Sequence, residues 1–160
     1  RADLAQLDRV EVDYLGGEAG APEGRVEAVY YLAWLASRLG LRPSGEPLFE
    51  EGTVRSPARD AEGRKLELVL RRRPRRGSAP GVLSRVCLSA RGGQTRYEII
   101  RNEERSVAEI RLQVGRSCPL PTLVDLPSTG APDLMDAALR GGDRIFRDVL
   151  TSAQEWRRAS

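Results

Sequence analysis

Apolar and polar residues alternate at Arg9-Val-Glu-Val-Asp-Tyr-Leu15, with Val10, Val12 and Tyr14 on one face and Glu11 and Asp13 on the other. A period of two predicts a strand with one solvated side. A glycine-rich loop, 16–24, follows, and the period then changes. Across Val26–Leu41, the positions Val26, Val29, Tyr30, Ala33, Trp34 and Ser37 form one i, i+3, i+4 stripe. Ala28, Tyr31, Leu32, Leu35, Ala36 and Leu39 fill much of the remainder, leaving Glu27 and Arg38 as the only charges. A helix apolar nearly all round is a buried helix, and this one is shorter than the ~20 residues needed to span a bilayer. The expectation is a core helix packed on a sheet, ended by Gly40 and kept from continuing by Pro43.

Four more strands are expected at Lys65–Arg72, Gly81–Ala90, Thr95–Asn102 and Val107–Gly115. Their short, turn-rich connectors favour an antiparallel meander. Residues 42–53 read as irregular, and 117–132, with four prolines, as an extended crossing segment. Asp133 caps an expected helix through Arg140. Asp143 caps another through about Arg158, with Ile145, Phe146, Val149, Leu150, Ala153 and Trp156 as its stripe. The order predicts an α+β domain over 1–160. It is a mostly antiparallel sheet of about five strands, with a buried helix after strand 1 and C-terminal helices packed on one face.

Composition sharpens this picture in three ways. With 160 residues, 40% apolar and only 5% aromatic, the core rests on aliphatic side chains. The charge is uneven: 1–51 holds 5 basic and 10 acidic residues, 52–116 holds 16 and 7, and 117–160 holds 5 and 6. The positive charge therefore belongs to the expected sheet. No apolar run is long enough for a membrane span or a signal peptide. Two cysteines without histidine make neither a disulfide scaffold nor a zinc site, which fits a cytoplasmic protein with reduced thiols. The chain begins at Arg1 and has Met135 as its one methionine, as expected of a processed or excised piece of a longer protein.

The absence of histidine removes the commonest general base and the Ser–His and Cys–His pairs. No phosphate-binding loop ending in Lys-Ser or Lys-Thr occurs, and no Gly-x-Gly-x-x-Gly follows a strand. No catalytic residue, metal or cofactor is expected. The strongest charge feature is Arg71, Arg72, Arg73, Arg75 and Arg76, in an expected hairpin. It suits an acidic patch on a protein partner. A nucleic-acid backbone is the alternative, disfavoured because Tyr97 is the lone exposed-type aromatic on the strands. A small-molecule or sugar-binding domain is a third reading. Cys118, in Arg116-Ser-Cys-Pro119, is the candidate redox thiol, since a loop thiol beside a cation is the reactive kind. Cys87 is expected half-buried within its strand.

Tyr31-Leu-Ala-Trp-Leu-Ala-Ser-Arg-Leu-Gly-Leu-Arg-Pro43 resembles the helix of OpcA proteins, the glucose-6-phosphate dehydrogenase assembly family. The preceding strand, Tyr97–Arg101 and Leu139–Phe146 follow in the order of that family. The resemblance implies a C-terminal domain of a non-catalytic accessory protein. Its partner would be glucose-6-phosphate dehydrogenase, whose assembly or activation it would promote in support of NADPH supply. It supplies no catalytic residue to carry over. Cyanobacterial members link activation to thiol redox state. Oligomeric state is left open.

Overall fold

The computed structural model describes residues 6–16, 25–74, 82–102 and 105–126. Among them lie one helix and nine strands: β1 (Leu7–Leu15), α1 (Arg25–Arg38), β2 (Arg42–Pro43), β3 (Leu48–Glu50), β4 (Thr53–Arg59), β5 (Lys65–Arg73), β6 (Leu83–Ala90), β7 (Thr95–Asn102), β8 (Val107–Val114) and β9 (Thr122–Asp125). All the strands join one sheet in the order β2-β4-β5-β1-β6-β7-β8-β9, with β3 beside β4. The pair β1–β5 is parallel and the other pairs are antiparallel.

Strand register builds the core. Val10 lies opposite Leu68 and Leu88, and Val12 opposite Leu70 and Val86. The Val10–Val12–Tyr14 face therefore continues into Leu66, Leu68 and Leu70. Against it α1 sets Ala28, Leu32 and Ala36, spaced by one turn each, and Ala58 and Leu41 close the cluster. Small residues at two of those three helix positions let the backbone approach the sheet, while Leu32 fills the middle. The helix ends in a Schellman motif. Leu41 N–H donates to Ala36 C=O at 2.9 Å and Gly40 N–H to Ser37 C=O at 3.1 Å, with Gly40 at φ 67°. That left-handed turn is open to glycine without a Cβ penalty.

Several expectations need correction. In place of the helix-packed α+β domain with about five strands, the described residues form a nine-stranded mixed sheet carrying one helix. The five expected strands exist, but the residues read as irregular or merely extended also pair: Arg42–Pro43 and Leu48–Glu50 on one flank of the sheet, Thr122–Asp125 on the other. Thr53–Arg59, most of which carried no expectation, joins the first flank beside β5. The meander holds from β6 to β9, yet β1 intrudes between β5 and β6, because its two-sided strand needs a partner on each edge. The buried stripe of α1 is Ala28, Leu32, Ala33 and Ala36, while Tyr30 is turned out to solvent. The expected C-terminal helices lie outside the described residues.

Candidate functional surfaces of the sheet

The face of the sheet opposite α1 is built from charge. β1 presents Arg9, Glu11 and Asp13 there, and its register sets Asp13 between Arg71 of β5 and Arg85 of β6. The arginine side chains reach along these strands to the acids. Arg73 Nε lies 2.9 Å from Asp13 Oδ2, and Arg71 Nη2 lies 3.2 Å from Glu11 Oε1. Arg85 Nη1 stands 3.6 Å from both Glu11 Oε2 and Asp13 Oδ2, and its Nη2 pairs with Glu98. The ladder spreads outward through Arg9 and Arg55 to Glu67, and through Arg96 to Glu98.

These long side chains lie over the sheet, and so Val69 and Cys87 on the same face are fully buried. Asp13 keeps 3% of its side-chain surface, Glu11 9% and Arg85 18%. Burial pushes the Glu98 carboxyl up, but the hydrogen bond and charge of Arg85, with Arg96 beside it, outweigh this and hold it below the usual range. The acids here are occupied by guanidinium groups. The face is a charged plate in which carboxylates and guanidinium groups are interleaved.

The opposite face is divided. Over β5 and β1 it is sealed by α1. Over β7, β8 and β9 it carries an exposed apolar strip of Tyr97, Leu112, Val114 and Val124. Tyr97 pairs with Leu112 in the register, so the strip is continuous across two strands.

The residues singled out in the sequence separate in space. Arg71 and Arg73 turn onto Glu11 and Asp13 and do not form an outward cluster. Arg72 faces the other way and packs over Gly16. Arg75 and Arg76 lie outside the described residues. Cys118 is exposed, beyond the turn closed by Ser117 N–H on Val114 C=O. Cys87 is buried completely rather than by half. Glu11 and Asp13, read as the solvated face of their strand, are in fact paired and buried. The signal was present in the sequence: acids at alternate positions of β1, arginines at alternate positions of β5, and Arg85 within the otherwise uncharged β6.

Among the described residues no group of histidine, cysteine, aspartate and glutamate is arranged to hold a metal. No helix there is long and apolar enough to cross a membrane.

Among the described residues, a mixed sheet with a single helix on one face defines the architectural class. No family model and no curated protein matches the chain. Solved structures do. A 3-ketoreductase from Actinomadura kijaniata in complex with NADP and TDP-benzene superposes with a TM-score of 0.58 at 11% identity, over 92% of this chain and 51% of that one. A UDP-N-acetylglucosamine 3-dehydrogenase from Acidithiobacillus ferrooxidans gives 0.53 at 14% identity, over 96% and 53%. The chain thus shares its fold with part of these two structures and spans about half their length. This finding corrects the expected non-catalytic accessory role and the expected lack of enzymatic activity: the structures that share the fold are a 3-ketoreductase and a UDP-N-acetylglucosamine 3-dehydrogenase, not assembly factors for glucose-6-phosphate dehydrogenase. The Gly-x-Gly-x-x-Gly pattern that holds a dinucleotide pyrophosphate in such turns does not follow β1 in the sequence.

Proposed function

We propose that this chain is the sheet-bearing part of a cytoplasmic oxidoreductase acting on a sugar or a sugar nucleotide. The observation that supports this most is the superposition of nine-tenths of the chain on half of a 3-ketoreductase that binds a nucleotide-linked ligand. Fold alone does not define chemistry, so the reading rests on analogy and stands or falls on a ligand. Two unpaired thiols fit a reducing compartment. On this reading the ion-paired face gives the domain rigidity, and the helix-bearing side is where a substrate or a second domain is met.

The test is ligand-observed NMR of the chain with nucleoside-diphosphate sugars and free aldoses, up to about 1 mM, the top of the common KM range. Saturable transfer to at least one sugar-bearing compound is expected. Flat titrations across the panel would overturn the reading.

A further inference from the structure

We propose that β9 is a self-pairing edge, through which two copies of this chain join antiparallel about a twofold axis at Leu123, so that one sheet runs through both. The proposal stands independently of the functional reading above. The two flanks of the sheet differ. At one, β4 is covered by β2 and β3 of its own chain, and Ser44 N–H donates to Pro57 C=O at 2.9 Å. At the other, no strand among the described residues lies beyond β9, and all of Thr122–Asp125 is exposed.

Register fixes which backbone groups of β9 face outward. Leu126 N–H donates to Ser106 C=O at 2.9 Å, and Val124 and Thr122 lie opposite Ala108 and Ile110. Alternation along an antiparallel pair turns these residues toward β8, so the N–H and C=O of Leu123 and Asp125 point away from the sheet. Such unpaired groups are a template for another strand. The sequence then selects the occupant. With Leu123 opposite Leu123 of a second copy, the two exchange both backbone bonds. Asp125 N–H meets C=O of Pro121 in the second copy, and Pro121, having no N–H, leaves no donor unmatched there. Leu123, 59% exposed in the single chain, is covered by an identical apolar side chain. On the helix-bearing face Thr122 stands opposite Val124 of the second copy, a β-branched pair that prolongs the row through Ile110. Pairing about Val124 instead would set the two Asp125 carboxylates on a diagonal, where like charges repel.

Sedimentation equilibrium of the chain up to about 0.5 mM, a range suited to a small interface, tests the pairing. An average mass rising with concentration from 17.6 kDa toward twice that value is expected. Leu123→Arg sets like charges opposite each other and should weaken association about tenfold or more. A mass that stays at 17.6 kDa, or an association that Leu123→Arg leaves unchanged, would overturn the proposal. Cross-linking reads the register. In a Cys118→Ser background, with Cys87 fully buried, Leu123→Cys brings two thiols onto Cα atoms about 5.5 Å apart, within disulfide reach. Val124→Cys leaves them on a diagonal of about 7–8 Å, beyond it. Mild oxidation should therefore give a covalent dimer of the first variant and not of the second; the reverse result would refute a twofold axis at Leu123.

Discussion

Replacing Arg85 by Met probes the charged face at its centre. The guanidinium stands between Glu11 and Asp13 at 3.6 Å from each and also holds Glu98. Methionine keeps the stem that covers Cys87 and removes the charge. Breaking a buried ion pair from one side costs about 3–5 kcal/mol, because the remaining charge stays desolvated. Here the loss is moderated. Asp13 retains Arg73 at 2.9 Å, and Glu11 retains Arg71 at 3.2 Å and Arg9 at 3.3 Å. Arg85 is also 18% exposed. About 2–4 kcal/mol is therefore expected, or a fall in Tm of roughly 5–15 °C for a chain of this size.

The pH dependence separates this account from a plain loss of packing. The folded pKa of Glu98 is depressed by Arg85, so the stabilisation is present above the unfolded value of about 4.3 and disappears as pH falls through the folded value. The difference between wild type and Arg85→Met, read from urea midpoints at pH 7, 5 and 4, should be largest at pH 7 and shrink at the acid end. An equal difference at every pH would mean that Arg85 acts through packing, and the electrostatic argument would be wrong.

Four further outcomes follow from particular contacts. Leu32→Ala empties the fully buried centre of the helix–sheet contact and should cost about 2–5 kcal/mol by denaturant titration; a loss below about 1 would mean that α1 is not seated there. Gly16→Ala drives a Cβ into Arg72 and should cost about 1–3 kcal/mol, with most of that relieved in a Gly16→Ala/Arg72→Ala double variant, and strictly additive effects would contradict the contact. Ser106, at φ 51°, should gain about 0.5–1 kcal/mol on replacement by glycine, and a destabilised Ser106→Gly would refute the strain there. A colorimetric thiol reagent should find one fast cysteine, Cys118, with Cys87 reacting only as the chain unfolds; two equal rates would place Cys87 at the surface.

How much of this was legible in the chain depends on how local each feature is. Val10, Val12, Leu66, Leu68 and Leu70 announce their face by alternation, because each strand must bury one side. β4 hides behind Pro57 and four polar positions. Its membership of the sheet is decided by pairing with β5, where Ser56 meets Leu68 and Ala58 meets Leu66. Edge strands such as β3 and β9 bury little, so they lack the periodicity that marks a strand. The insertion of β1 between β5 and β6 was equally invisible, since nothing in a strand's own sequence states which neighbours it takes. The ion-paired face shows the same limit. An acid at position 11 or 13 reads as solvated until arginines from about sixty and seventy positions further on are laid beside it.

The helix shows why a family likeness carried on core residues says little about function. A helix seated on a sheet needs small residues where it touches, here Ala28, Ala33 and Ala36, a large aliphatic between them at Leu32, and a glycine to turn out at Gly40. The likeness lies in Tyr31–Pro43, and that segment supplies three of those buried positions and the turn. The requirement is steric, so any chain that packs a short helix across two parallel strands converges on similar spacing whatever it catalyses. Its outward positions would have to differ between functions, and in this chain those are Tyr30 and Arg38. Evidence about function must therefore come from surfaces the core does not dictate, such as the exposed apolar strip of Tyr97, Leu112, Val114 and Val124.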